Sequence, residues 1–284
     1  MEICINGKKL DASLDKENTV GEVLAGLEQW LTDSGHRICE LNIDGKIINA
    51  SMIEDIFNRE IKDIKNISIN TNVVADLTAA SLINLLEDIN EYENLNFEEK
   101  AKYYNNWKET VTAQYISAEI PDLYSFCAGT FINADMSPSV LRSITEEIQR
   151  EVNTPADEFK NLQPILNEIC ERLINLPLDI QTGKDALAAR TIQTFSAVTE
   201  KIIRVFRQLD TQGYLTSVAG NEKPLSQLIT EFGSVLKDLL FAYEKNDCVL
   251  VGDITEYEAS PKLNELYNAI LDNIKIKSAL QGEK

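Results

Sequence analysis

The spacing of the apolar residues changes once along the chain, near residue 73, and this change limits the possible folds more than any motif. Before it, short β-rich runs and turn dipeptides surround one helical stretch. After it, roughly two hundred residues follow helical spacing with no convincing strand. A chain of 284 residues is long enough for two domains. We therefore predict an α+β module at residues 1–73, followed by an all-α helical body at residues 74–284.

Turn and capping signals define the elements of the first module. Asn6-Gly7 and Asp44-Gly45 each separate two β-rich runs, and such pairs favour two-residue hairpin turns. Thr19-Val20-Gly21-Glu22 is a capping box that opens an amphipathic helix, which Gly35 ends. A short helix capped by Ser51 precedes the last strand. The strands expected from these signals are 2–5, 8–14, 37–43, 46–48 and 64–69.

This order of strands and helices within about 70 residues resembles the ubiquitin-like β-grasp fold. The resemblance covers the first quarter of the chain. Family members include conjugated modifiers and sulfur carriers, which end in a free Gly-Gly tail, and plain binding modules. Here the last strand continues through Asn70–Val73 into the helical body. The resemblance therefore implies a binding or packing module without conjugation chemistry.

Capping residues and prolines divide the helical body. We expect the last four segments, from residue 154 to 284, to form an antiparallel four-helix bundle. The helices of residues 74–153 either extend this bundle or form a bridge to the first module. Gly213–Asn221 is expected to be a loop. The expected helices are 74–92, 96–117, 124–131, one from 138, 159–174 ended by Pro177, 185–209, 224–243, and 249–276 with a kink at Pro261.

The longest predicted helix carries a wide apolar stripe. Leu187, Phe195, Ile202 and Phe206 recur on one of its faces. Such a stripe is typical of bundle packing, so we expect all four side chains in the core.

The most motif-like segment lies near the C-terminus. In Asp247–Glu258 an apolar stretch precedes the triplet Glu256-Tyr257-Glu258, and Pro261 and Leu263 follow. The segment resembles the end of uncharacterised bacterial helical-bundle proteins. Through its Leu/Ile spacing it is also loosely similar to flagellar and secretion export chaperones. Neither resemblance implies an active site. In one arrangement Tyr257 faces inward while the two acids stay solvated.

The candidate catalytic residues are few. His36 is the single histidine and lies in a predicted turn, and no nucleophile is placed beside it by the sequence. Gly183-Lys184 at a helix start fails as a phosphate loop, because Leu178 stands at the required glycine and Asp185 follows the lysine. We therefore predict no catalytic and no cofactor-binding residues.

Two sets of carboxylates have spacing that suits a hard metal ion. Asp253 and Glu256 are three residues apart, and Glu87, Asp88 and Glu91 form a similar set on the first body helix. In a chain with net charge −19, helix surfaces produce such sets by chance. We expect solvated helix faces and no metal site, with a Ca²⁺ or Mg²⁺ site as the alternative.

Composition excludes some classes of function and partner. Both halves are acidic and no Lys/Arg cluster offers a basic surface, so we expect no nucleic-acid binding. The start has no basic n-region, and no apolar stretch is long enough to span a membrane, so we expect neither signal peptide nor membrane helix. The five cysteines are scattered and indicate reduced thiols in a cytoplasmic protein.

These observations favour a non-catalytic protein that binds, scaffolds or regulates a protein partner, which the sequence does not identify. One alternative is a chaperone for an exported flagellar or secretion subunit, which would shield an amphipathic segment. Another is an enzyme with an unrecognised acidic metal site. Oligomeric state does not follow from the sequence.

Overall fold

The chain folds into two compact units, residues 1–149 and residues 150–284. The computed structural model describes residues 1–11, 17–49, 52–133, 137–215, 224–245 and 247–274. The first unit contains a small sheet followed by helices, and the regular elements of the second unit are all helices among its described residues. The α+β expectation is therefore confirmed at the level of a small N-terminal sheet followed by helices.

The sheet of the first unit has five strands in the order β2-β1-β5-β3-β4. The central pair, β1 and β5, is parallel, and the other neighbouring pairs are antiparallel. Helix α1 covers one face, and its Val20, Leu24 and Leu27 share a core with Ile67 and Ile69 of β5. The elements are β1 (Glu2–Ile5), β2 (Lys8–Lys9), α1 (Val20–Asp33), β3 (His36–Ile43), β4 (Lys46–Ile47), α2 (Ile53–Phe57) and β5 (Asn66–Val73).

The local signals of this module are confirmed where the structure describes them. Asn6 and Asp44 have φ of 50° and 51°, and the glycine after each also has positive φ, as two-residue hairpin turns require. Thr19 caps α1 with the reciprocal bonds of a capping box. Residues 12–14 of the predicted second strand and the predicted cap Ser51 lie outside the described residues.

Strand β5 passes directly into the first helix of the body. Val73 ends the strand and Val74 begins α3, whose first amide donates to the carbonyl of Gly35 at 2.8 Å. Residues 70–73, which lie between the predicted last strand and the helical body, belong to β5 and pair with β3. The helices that follow are α3 (Val74–Asn94), α4 (Phe97–Trp107), α5 (Val111–Glu119), α6 (Pro121–Ala128), a π-helical turn (Gly129–Asn133) and α7 (Pro138–Asn153).

The predicted helix 96–117 is wrong as one element, because the structure breaks it into α4 and α5. Asn96 does cap its start with a capping box. The hydroxyl of Thr110 then accepts from the amide of Ala113 and starts a new helix. This cap gives the chain a local alternative to continuing α4.

The helices of the second unit share one hydrophobic core. Helices α9 and α10 pack together, α11 packs on α12 and α13, and α12 and α13 pack on α9. Gly252 lies against Pro177, and Tyr267 donates to the carbonyl of Phe159, so α12 and α13 run antiparallel to α8 and α9. The elements are α8 (Pro155–Lys160), α9 (Gln163–Gln181), α10 (Asp185–Thr211), α11 (Leu225–Glu244), α12 (Cys248–Ile254), a π-helical turn (Thr255–Ala259) and α13 (Ser260–Asn273).

Two expectations about these helices are wrong. Pro177 does not end its helix, because α9 continues to Gln181 with the proline inside it. Leu187 lies in the first turn of α10 and is 41% exposed, one position away from the buried stripe that begins at Ala188. Phe195 and Ile202 are buried as expected, and Phe206 packs partly buried against the same core.

The remaining predictions about the body concern its ends and boundaries. The last helix is interrupted by the π-helical turn, which ends two residues before Pro261. Residues 216–221 of the expected loop and residues 275–276 of the expected last helix lie outside the described residues. The domain boundaries at 73 and 153 remain predictions.

Candidate functional site

The tightest crossing of the second unit joins α9 to α12. A Cβ atom placed on Gly252 would lie 2.8 Å from Cγ and 3.0 Å from Cβ of Pro177. Real Cβ atoms are not found that close to another carbon, so glycine is what allows this approach. The crossing fixes which side chains of the two helices become neighbours.

Large apolar side chains surround this crossing and remain exposed. Ile174 and Leu178 lie on one face of α9 and are 51% and 56% exposed. Val249 lies three residues before Gly252, on the same face of α12, and is 68% exposed. Exposed leucine or valine residues are common singly, but three around one helix crossing form a patch.

A fourth exposed side chain comes from the π-helical turn. Pro261 has no amide hydrogen for the carbonyl of Tyr257, four residues earlier, and the helix widens there. The amide of Ser260 instead donates to the carbonyl of Thr255, five residues earlier. Thr255 and Ser260 are therefore both buried, while Tyr257 between them is 67% exposed. The inward arrangement of Tyr257 is thus wrong.

We call Ile174, Leu178, Val249 and Tyr257 the crossing patch. Its two parts are about 75 residues apart in the chain and are brought together by the Pro177–Gly252 contact. Along α12 and the π-helical turn, Val249 and Tyr257 are eight residues apart, which corresponds to about 12 Å of helix. The patch is therefore long enough for two to three turns of another helix.

Carboxylates border the crossing patch. Asp253, Glu256 and Glu258 are exposed and alternate with its apolar residues. No lysine or arginine occurs between Lys245 and Lys262. Among the described residues, none forms an ion pair with these three acids. The hydroxyl of Tyr257 bonds to Glu256, which raises the pKa of the tyrosine.

Three basic side chains near the patch in sequence have other partners. The ammonium of Lys262 contacts Glu231 at 2.5 Å and Glu265 at 3.3 Å. On α9, Lys184 pairs with Asp179 at 3.0 Å and Arg172 pairs with Glu168 at 2.6 Å. The negative charge at the patch is therefore not neutralised by these neighbours.

A second candidate lies in the first unit, around Asp88 of α3. The carboxylate of Asp88 is half-buried and accepts a hydrogen bond from Nε1 of Trp107 at 2.9 Å. Burial raises the pKa of Asp88, while the indole bond opposes this effect. Glu87 and Glu91 remain exposed, so the predicted set of three carboxylates divides into one packed and two solvated groups.

The surroundings of Asp88 are filled by aromatic rings. Phe131 lies 4.9 Å from Tyr92, 5.2 Å from Tyr103 and 5.0 Å from Trp107, measured between ring centroids. The buried thiol of Cys127 has its pKa raised to about 12, first by burial and then by the charge of Asp88. A thiol with this pKa stays protonated at neutral pH and is a poor nucleophile. This cluster therefore serves packing.

The other candidate residues lie apart from these clusters in the chain. His36 begins β3, and its Nδ1 lies 2.8 Å from the carbonyl oxygen of Ser34, so a neutral ring donates from Nδ1. Gly183 occupies a turn between α9 and α10 with φ of 71°, and Lys184 is held by Asp179. Positive φ explains this glycine without a phosphate ligand.

Two absences among the described residues concern metal binding and membrane insertion. No group of three or more His, Cys, Asp or Glu side chains there is arranged to hold a metal ion. No described helix combines the length and apolar character needed to span a membrane.

Sequence reasoning identified the C-terminal segment but missed its partner on α9. Val249 and Tyr257 belong to the segment singled out from the sequence, whereas Ile174 is the last residue of a predicted helix and Leu178 lies beyond the proline expected to end that segment. The available signal was Pro261, whose missing amide faces Tyr257 four residues earlier. No local signal pairs Pro177 with Gly252, because that contact is tertiary.

Comparisons with known proteins match both parts of the chain. Residues 1–72 match the family model described as TP0873 N-terminal domain. Residues 157–269, which include the crossing patch, match the model described as Domain of unknown function (DUF8042). A relative from Treponema pallidum (strain Nichols), described as an uncharacterized protein, is 21% identical over 271 residues, covering 95% of this chain and 96% of its own. No solved structure matches the chain.

Proposed function

We propose that this protein is a non-catalytic, cytoplasmic protein-binding adaptor and that the crossing patch is its binding surface. The observation that carries the proposal is the group of apolar side chains, each more than half exposed, around the Pro177–Gly252 contact. Contiguous exposed apolar surface with a polar rim is typical of protein interaction sites. Tyr257 fits this role, because tyrosine is enriched at such sites.

We also propose that the N-terminal sheet is a β-grasp module that serves as a second binding or packing element. Support comes from the strand order β2-β1-β5-β3-β4, with a parallel central pair and α1 across the sheet. The direct passage of β5 into α3 leaves no free tail at the end of the module. A modifier or sulfur carrier needs such a tail, so the proposal is limited to binding.

Site-specific photo-crosslinking in native cells tests the adaptor function. Val249 is replaced by p-benzoylphenylalanine, and the same replacement at Ile165 is the control, since Ile165 is 45% exposed on α9 but lies outside the patch. We expect a discrete adduct with another protein from position 249 only. That adduct should be lost when Leu178→Ser is added. Equal adducts from both positions, or none from 249, would contradict the proposal.

The chaperone alternative uses the same surface with a different client. An amphipathic helix of an exported subunit would cover the crossing patch and be released at the export machinery. The identity of the cross-linked protein separates the two functions, because a chaperone is bound to a protein that leaves the cytoplasm.

The enzyme alternative requires a metal held by carboxylates such as Asp253 and Glu256. A metal that binds only the folded chain raises its melting temperature. We expect EDTA, Mg²⁺ and Ca²⁺ to leave the melting temperature unchanged. A rise of several degrees that disappears in Asp253→Asn would favour the enzyme.

A further inference from the structure

The rim of the crossing patch indicates what kind of protein segment would cover it. The patch presents apolar side chains in a row about two to three helical turns long, bordered by Asp253, Glu256 and Glu258. We infer that its occupant is an amphipathic helix with lysine or arginine residues flanking its apolar face. This inference rests on the proposed function and specifies the partner's chemistry.

Charge complementarity favours a basic occupant over a neutral or acidic one. Three basic side chains near the patch in sequence, Arg172, Lys184 and Lys262, form ion pairs with other residues, and the ammonium of Lys245 lies over the ring of Phe241. An incoming lysine or arginine would thus find carboxylates without an ion-pair partner. An acidic segment would place like charges together, which costs affinity and slows association.

The same charges disfavour a second copy of this chain as occupant. A symmetric dimer through the crossing patch would bring the same surface of both copies together. Asp253, Glu256 and Glu258 of one copy would then face the same acids of the other. Repulsion between them would oppose the burial of the apolar side chains.

Shape favours a helix over an extended strand. The patch lies along two antiparallel helices, and neighbouring helices leave a groove into which side chains spaced three or four residues apart fit. The patch itself offers no strand edge to which a β-strand could add. A helical occupant also satisfies its own backbone hydrogen bonds.

Binding of synthetic peptides to the full chain tests this inference. The probes are an 18-residue amphipathic Leu/Lys peptide, its Leu/Glu counterpart, and a scrambled Leu/Lys peptide of the same composition without an apolar face. Fluorescence anisotropy gives the Kd of each at low and high salt. We expect the amphipathic basic peptide to bind at least about ten times more tightly than either of the others.

Two pairs of variants separate the patch from general attraction to an acidic protein. The double variant Leu178→Ser/Val249→Ser should raise the Kd of the basic peptide at least about tenfold, while Ile165→Ser should leave that Kd unchanged. The double variant Asp253→Asn/Glu256→Gln should weaken binding of the basic peptide and make that binding less sensitive to salt. Glu54→Gln/Asp55→Asn in α2 removes the same charge elsewhere and should change little.

Several results would overturn the inference. One is that the Leu/Glu peptide binds as tightly as the amphipathic Leu/Lys peptide, and another is that the scrambled peptide does so. A third is that Asp253→Asn/Glu256→Gln and Glu54→Gln/Asp55→Asn weaken binding of the Leu/Lys peptide equally. Dimerisation abolished by Leu178→Ser would also overturn it in favour of a second copy. The proposed adaptor function is tested by a different result, because an absent cross-link from position 249 would contradict it. A patch-dependent cross-link to a neutral or acidic segment would retain the adaptor and reject the basic helix.

Discussion

Single residues set the geometry of the crossing patch, and Gly252 has the strictest requirement. A methyl group there would overlap the ring of Pro177, which cannot bend away as a long side chain would. We expect Gly252→Ala to lower the free energy of unfolding by about 1–3 kcal/mol, measured by urea denaturation.

Gly233 in α11 provides the matched control. A Cβ atom there would have no neighbour within 4 Å, so Gly233→Ala should gain about 0.5–1 kcal/mol from helix propensity. If Gly252→Ala stabilised the chain as much as Gly233→Ala does, Gly252 would not lie in close contact with Pro177.

The buried carboxylate of Asp88 should give the first unit a distinctive pH dependence. Burial raises its pKa in the folded chain, so the charged form is less favourable there than in the unfolded chain. Below the ordinary pKa of aspartate the carboxyl group is protonated in both the folded and the unfolded chain, so it does not lower the stability of the fold. The destabilisation by the buried charge reaches its full size once the pH exceeds the pKa of Asp88 in the folded chain.

Asp88→Asn removes this cost and keeps an acceptor for the indole of Trp107. We therefore expect the variant to be more stable relative to wild type at about pH 7 than at about pH 3.5, measured by denaturation at both values. Glu87→Gln removes a neighbouring exposed charge that contributes least to raising the pKa of Asp88, so this variant should show only a small part of the pH dependence. A stability difference independent of pH would show that Asp88 is not penalised by burial.

The residue-scale features that sequence predicts are those whose partners lie within a few positions. Thr19 and Asn96 bond to Glu22 and Glu99 in their own first helical turns, so their capping boxes are readable directly. The direction of Tyr257 is not readable in this way. It depends on which neighbours of the π-helical turn are buried by other helices.

At the scale of elements, α10 shows that the periodicity of apolar residues predicts most, but not all, of the buried side chains of a helix. Phe195 is 3% exposed and meets Phe232 of α11 edge-on at 6.4 Å, whereas Leu187 of the same stripe is exposed. We expect Phe195→Ala to cost about 3–5 kcal/mol of stability, and Leu187→Ala about 0.5 kcal/mol or less, by urea denaturation. Similar losses for both variants would place Leu187 in the core after all.

The two helix ends that were predicted wrongly have different causes. Pro177 normally argues for a helix end, but α9 continues to Gln181, and its proline packs against Gly252 of α12. The break between α4 and α5 has a local cause, since the side chain of Thr110 caps the start of α5. Packing decides the first case and local hydrogen bonding the second.

At the scale of the whole molecule, the position of the boundary between the two units can be tested. The last residues of α7 belong to the second unit, where Glu151 is buried and accepts from Arg204 at 2.8 and 3.0 Å. Gln212 donates to the carbonyl of Val152. A chain beginning at residue 154, the boundary predicted from sequence, would lose both interactions.

We therefore expect residues 154–284 to melt at least about 5 °C below residues 138–284, which keep α7 whole. Circular dichroism at 222 nm measures both transitions. Glu151→Gln in the longer fragment should reproduce part of the loss, because Arg204 and Lys201 would face an uncharged partner. Equal melting temperatures would favour the sequence-based boundary.

The crossing patch itself could not be predicted at this scale. The sequence shows an apolar, acidic C-terminal segment and, separately, an ordinary amphipathic helix around Ile174. Their adjacency requires knowing that α12 runs back along α9. The small sheet was predictable because its strands and turns lie within about 70 contiguous residues.

The π-helical turn at Thr255–Ala259 has a consequence for comparing this chain with its relatives. The turn contains one residue more than an α-helical turn would, yet the buried Thr255 and Ser260 on either side keep their places in the core. A relative could delete that residue, continue as plain α-helix and preserve every core position. In an alignment, a one-residue gap opposite Glu256–Glu258 would then mark the members that lack the outward tyrosine.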